Sequence, residues 1–199
     1  MMQNDILEKI VKLGGNVDAV DPKTSLNEQL AAITFHQVLF DDFWECYGVD
    51  EFREEHRELY EKDHEAFVES LLDYLLANND DPRGQGFWEY VHFTPMTEGT
   101  KECADWDGAF HKYELTEIRE VVGEGDLEFA QIMHVFGFPD HYYICLSDPN
   151  PENPTVFSTD HEVFFREITN EGSFSEFLDK MLTRDKLKEV VVEYMNNND

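Results

Sequence analysis

Apolar residues along this chain change period. Over roughly the first 80 positions they recur at the three- and four-residue spacing of helices, and from about 86 to 185 they gather into short runs or alternate as strands do. Asp5 to Leu13 places Ile6, Ile10, Val11 and Leu13 near one face and stops at Gly14-Gly15, which predicts a short helix with a glycine stop. Asn16 to Thr24 reads as a loop. Ser25 and Glu28 have capping-box spacing. Beyond them Leu30, Ile33, Phe35, Val38, Leu39, Phe40, Phe43 and Trp44 predict a helix apolar on nearly every side, hence buried, up to a break at Gly48. From Asp50 to about Asn78 the period predicts one more helix. Phe52, Leu59, Tyr60 and Phe67 lie on one side, Glu54, Glu58, Glu61, Glu65 and Glu69 on the other, and Leu71 to Leu76 packs more deeply. Asn78 to Gly86, with Pro82 and two glycines, reads as the loop between a helical part (about 1–80) and a sheet-forming part (about 86–185).

Phe87 to Phe93 predicts a strand apolar on both faces, ended by Thr94-Pro95. In Ala109 to Val122, Tyr113 and Leu115 alternate like a strand while Leu115, Ile118 and Val122 step like a helix, and the reading adopted is strand. Leu127 to Phe136 is a clearer strand. Tyr142 to Leu146 is too apolar for a surface strand and too short for a buried helix, so it reads as a central strand, stopped by Asp148, Pro149, Asn150 and Pro151. Thr155 to Phe157 and Val163 to Ile168 read as its sheet neighbours. Ser173 and Glu176 form another capping box. The helix they open carries Phe174, Phe177, Leu178, Met181 and Leu182, an apolar face that needs the sheet to cover it. Asp185 to Tyr194 reads as a last helix with a fraying Asn-rich end. The expected fold class is α+β: N-terminal helices, then a mostly antiparallel sheet covered by a C-terminal helix, in a single domain over 1–199.

Composition narrows the function. Aromatics make up 14% of the chain, too many for a disordered acidic protein, so its charge of -29 sits on a folded body. That charge repels nucleic acid and anionic membranes and attracts basic partners. Cys46, Cys103 and Cys145 are odd in number and widely spaced, which predicts reduced thiols in place of a disulfide framework or Cys-x-x-Cys site. With no signal peptide and no bilayer-length apolar run, the expectation is a cytoplasmic protein that does not enter membranes.

Several motifs fall in a familiar order. An aromatic-rich strand ends in Asp148-Pro149, followed by Pro154-x-Val156-Phe157, the acid-His-acid step Asp160, His161, Glu162, and the helix Ser173-Phe174-x-x-Phe177-Leu178. This stretch, roughly 127 to 183, resembles the C-terminal half of the SUKH superfamily, which contains bacterial immunity proteins against polymorphic toxins and fungal regulators of cell-wall synthesis. The resemblance implies an immunity role with a toxin as partner, such as a nuclease whose basic cleft attracts carboxylates.

Catalytic and cofactor motifs are missing: no Gly-x-Ser-x-Gly elbow, Gly-x-Gly-x-x-Gly, Walker loop or His-Glu-x-x-His occurs. Glu61 and His64 have the Glu-x-x-His spacing of di-iron bundles, but the second such motif is lacking, so no metal or cofactor is expected. Asp160, His161 and Glu162 read as a turn, because neighbours on a strand point to opposite faces and cannot converge on a substrate. Trp88, Tyr90 and Trp106 read as core or interface rather than a stacking platform. The acidic face is the candidate site. Glu54 with Glu58, Glu61 with Glu65 and Glu65 with Glu69 are like-charge i,i+4 pairs in the predicted helix, each costing roughly 0.2–0.5 kcal/mol, a cost consistent with retention for binding. The expectation is a non-enzymatic acidic domain that binds a basic protein through Glu54, Glu58, Glu61, Glu65 and Glu69, as an immunity protein neutralising a basic toxin. The alternatives are a regulatory scaffold and a small hydrolase or metal-dependent enzyme using His141, His161 and nearby acids.

Overall fold

The computed structural model describes residues 2–42, 45–77, 84–93, 115–125, 127–135, 140–160, 162–163 and 165–198. The fold is α+β. Its elements in chain order are α1 (Asn4–Lys12), β1 (Gly15–Asn16), α2 (Leu26–Ala31), β2 (Thr34–Phe35), β3 (Leu39–Phe40), α3 (Val49–Glu55), α4 (Arg57–Lys62), α5 (His64–Leu76), β4 (Gln85–Phe93), α6 (Thr116–Val122), β5 (Phe129–Val135), β6 (Asp140–Cys145), β7 (Thr155–Asp160), β8 (Thr169–Ser173), α7 (Phe174–Asp179) and α8 (Arg184–Asn197). Strands β3 to β8 form one antiparallel sheet in sequence order, and β1 pairs with β2 in a small separate ribbon.

Strand β6 lies inside the sheet, paired on both sides, with Tyr143, Ile144 and Cys145 fully buried. Alternation sends Ile144 to one face with Ala130 and Val156, and Tyr143 and Cys145 to the other with Phe129 and Phe157. A bulge in β5 turns both Ile132 and Met133 to the first face, adding a residue to that core. Helices α1 and α7 cover this face: Phe177 meets Tyr142 at 5.0 Å between ring centroids and Phe174 stacks near Trp88 at 6.2 Å. Lys9 ties the two helices, its Nζ donating to Ser175 Oγ (2.7 Å), Ser175 O (3.1 Å) and Asp179 Oδ2 (2.6 Å). On the opposite face, α3, α5 and α8 pack with Val38, Phe40 and Phe87 around one cluster, and α6 packs with Phe165 around another.

Both outer capping boxes form: Ser25 with Glu28, and Ser173 with Glu176. Gly14 ends α1 at φ +88°, where a Cβ would also meet the Gln37 amide at 2.5 Å.

Five expectations are corrected. The buried helix after Ser25 stops at Ala31, because the β-branched and aromatic run that follows is used with period two: Leu39 enters one core and Phe40 the other. Phe43 and Trp44 lie outside the described residues. The single helix from Asp50 to Asn78 is three helices, broken at His56 (φ -112°, ψ 29°) and Asp63 (φ -152°, ψ 88°); the Asp63 side chain accepts from Ala66 N and caps α5. The part of Ala109 to Val122 that is described forms helix α6, the Leu115 and Ile118 step prevailing because both are buried; 109–114 lie outside the described residues. Of Val163 to Ile168, the described residues form a turn, not a strand; residue 164 lies outside the described residues. Phe165 takes φ 57° and plunges against Tyr143 and Phe129, while Thr159 Oγ1 accepts from Phe165 N (2.8 Å) and donates to Glu167 O (3.0 Å). The strand is instead β8, with no apolar residue to announce it. Finally, α8 continues to Asn197 because buried Met195 anchors its last turn.

The position of α7 predicts that Phe177→Ala destabilises the fold by about 3–5 kcal/mol, the range for truncating a buried aromatic. Urea melts check it; a loss under about 1 kcal/mol would mean that α7 is not the cover of this sheet face.

Candidate functional site

The five carboxylates of the expected stripe divide between two environments. Glu54 lies in the last turn of α3, Glu58 and Glu61 belong to α4, and Glu65 and Glu69 to the first half of α5. The breaks at His56 and Asp63 separate Glu54 from Glu58 and Glu61 from Glu65, so two of the three like-charge helical pairs do not exist. The third, Glu65 with Glu69, is relieved by Lys188, which bonds Glu69 Oε1 at 2.5 Å and is also attracted by Glu65. The stripe is therefore not, as expected, a run of like-charge pairs burdening one helix.

Glu69 is structural. Besides Lys188 it accepts from Arg184 at 3.0 Å, and Arg184 also pairs with Asp73 at 2.8 Å, so the cluster ties α5 to α8. Hydrogen bonds from Lys188 and then Arg184 hold the Glu69 carboxyl below the usual carboxylate range. Sequence reasoning missed these partners, more than 110 residues away, although the i,i+4 spacing of Arg184 and Lys188 marks a basic face on α8.

Glu54, Glu58 and Glu61 are different: all three are exposed, and among the described residues none forms an ion pair or hydrogen bond through its side chain. They converge on two shallow adjoining grooves. The first is lined by Glu54, Glu55, His56, Arg57, Glu58, Leu59 and Lys62, and the second by Arg53, Glu54, Arg57, Tyr60, Glu61 and Asn198. Glu54 and Arg57 belong to both. No residue of α4 is fully buried; this short helix is held by its flanks and by Leu59 and Tyr60, which pack partly buried against the α3–α5–α8 cluster, Tyr60 meeting Phe67 edge-on at 5.1 Å. Phe52 of α3 anchors the upstream flank: its ring lies 5.6 Å from Phe67 and 5.0 Å from Tyr74 of α5. His56 stacks on Phe52 at 3.9 Å, and its Nδ1 lies 3.0 Å from Phe52 O. Arg53 sits over Tyr60 at 5.9 Å and pairs with Asp50 at 3.0 Å.

The candidates for acid-base or metal chemistry are scattered. Glu61 and His64 stand on different helices on either side of Asp63. Glu162 N donates to Asp160 Oδ1 at 2.6 Å, the turn expected there; His161 lies outside the described residues. His141 is opposite His134 across β5 and β6, with its Nδ1 3.1 Å from Gln131 Oε1, while His134 Nδ1 lies 3.1 Å from Glu89. Among the described residues no group of three or more His, Cys, Asp or Glu is arranged to hold a metal ion. Trp88 packs 5.0 Å from Phe35, and Tyr90 donates to Asn27, so both are framework; Trp106 lies outside the described residues. Cys46 and Cys145 are buried free thiols, and burial pushes the Cys46 thiol up to about 11; Cys103 lies outside the described residues. Among the described residues no helix is long and apolar enough to cross a membrane.

Comparison with protein-family models, curated proteins and solved structures finds no match for this chain.

The Glu69 cluster predicts an acid-sensitive contribution. A carboxyl whose folded pKa is lowered stabilises the fold above its unfolded value, near 4.5, and that stabilisation is lost as pH falls through the lower folded value. Glu69→Gln should therefore be less stable than wild type at pH 7, with the gap closing below about pH 4. Thermal melts across pH 3–8 check it; a gap that is constant with pH would show that the carboxylate charge is not what binds α8.

Proposed function

We propose that the chain is a non-enzymatic binding protein that docks a basic protein partner on the α3–α4 surface. The observation that carries this reading is that Glu54, Glu58 and Glu61 line two adjoining grooves and have no side-chain partner among the described residues, whereas Glu69 of the same expected stripe is consumed by Arg184 and Lys188. Exposed carboxylates beside a ring and an aliphatic side chain, here Tyr60 and Leu59, suit lysine and arginine, whose stems lie on apolar surface while their charges meet the acids. Net charge adds long-range attraction for the same partner and repulsion of nucleic acid. The resemblance to SUKH immunity proteins supports a toxin as that partner, encountered in the cytoplasm, where buried thiols such as Cys46 and Cys145 remain reduced. Glu54, Glu58 and Glu61 are the docking residues in this reading; Glu65 and Glu69 belong to the α5–α8 junction.

The test separates the grooves from net charge. Association with a lysine-rich peptide is followed by stopped flow for wild type, for Glu54→Lys/Glu58→Lys, and for Glu117→Lys/Glu120→Lys on the exposed side of α6, which has the same net charge as the first variant. The α3–α4 reversal should lower the on-rate ~3- to 10-fold and flatten its salt dependence, since exposed charges steer encounter. The α6 reversal should have a much smaller effect. Equal effects would place the attraction in overall charge and remove the docking role of α3–α4.

A further inference from the structure

The joint between α3 and α4 holds a titratable side chain inside the first groove. His56 is exposed and lines that groove, while its backbone N and its ring Nδ1 both meet Phe52 O, at 2.9 and 3.0 Å. A carbonyl oxygen only accepts, so Nδ1 carries the hydrogen in the neutral ring as well as in the protonated one. Gain of a proton therefore occurs at Nε2, which no described residue engages, and leaves the hydrogen bond at the joint intact. The stack on Phe52 tolerates both states, because an aromatic face attracts an imidazolium.

The charges around His56 make that proton count. Glu54 and Glu55 face it from α3, and Arg57, Glu58 and Lys62 from α4; α5 contributes the rings of Phe67 and Tyr74, packed on Phe52. With neutral imidazole the groove lining is one charge negative. With imidazolium it is balanced. We propose that His56 is a proton-operated switch of the docking groove, which takes a cationic side chain while the ring is neutral and attracts one less strongly once Nε2 is protonated. This rests on the docking reading of the α3–α4 surface and adds its regulation.

The experiment is an NMR titration of the ¹⁵N-labelled full chain with a lysine-rich peptide, at fixed ionic strength, at pH 7.5 and 5.5, with affinity read from the amides of residues 54–62. Wild type should bind about threefold more weakly at the lower pH, the scale of one exposed charge interaction. His56→Gln should keep nearly the same affinity at both, and His56→Arg should bind weakly at both; the spectrum of each variant reports its folding. A His56→Gln protein that loses affinity on acidification as wild type does would overturn the switch while leaving the docking surface standing. Absence of peptide-induced shifts at 54–62 at pH 7.5 would overturn the docking reading, and the switch with it.

Discussion

A sheet that is apolar on both faces must be covered on both, and this constraint places most of the helices. It is set by β6, whose consecutive residues Tyr143, Ile144 and Cys145 are fully buried although they point to opposite sides. Each large apolar side chain withdrawn from water contributes about 1.5–3 kcal/mol, so leaving either face open would forfeit a sum comparable with the net stability of a domain. Helices α1 and α7 close one face with Ile6, Ile10, Phe174 and Phe177. On the other face the work is divided: α3, α5 and α8 cover the β3–β4 end, and α6 with the Phe165 turn covers the strands from β5 to β7.

That division leaves α4 at the edge of a core, with only Leu59 and Tyr60 packed, partly buried, against the α3–α5–α8 cluster. Val49 and Phe52 of α3, and Phe67, Leu71 and Leu75 of α5, supply the buried side chains of this region, while Arg57 to Lys62 contributes none. A segment with few buried contacts is free to carry charge, and free also to adjust to a partner. The same reasoning separates the acids of the chain. Those reaching a packed neighbour, such as Glu69 with Lys188 and Glu171 with Lys180, are paired; Glu54, Glu58 and Glu61 of α3 and α4 have no such partner among the described residues. In the proposed reading, docking and stability draw on different carboxylates, although Glu54, Glu58, Glu61 and Glu69 lie within one acidic run of sequence.

The sheet was legible where side chains alone specify it. The alternation of Phe87 to Phe93 and the dense run Tyr142 to Leu146 identified β4 and β6, and both outer capping boxes located their helices within a residue. What escaped were elements whose reason is tertiary. Strand β8, Thr-Asn-Glu-Gly-Ser, carries no apolar pattern and exists because β7 offers it a backbone partner. Phe165 looked like a strand residue but fills space between Phe129 and Tyr143. The breaks at His56 and Asp63 lay within an unbroken helical period; the Asp63 cap was a readable signal, whereas nothing local marks His56 as a joint. Of the expected stripe, the acids were identified correctly as surface residues at four positions, while the loss of Glu69 to α8 required knowledge of a contact 115 residues distant.

The central claim is that a rigid, doubly covered sheet carries a loosely anchored α3–α4 surface. Native-state hydrogen exchange under mild denaturant measures this directly, because it resolves local from global opening. The amides of Tyr143, Ile144 and Cys145 should exchange only through global unfolding, with a free energy that falls steeply with denaturant, while those of Leu59 to Lys62 exchange through local openings of lower free energy that hardly respond to it. Equal protection of the two segments, or opening of β6 at lower free energy than α4, would contradict the account.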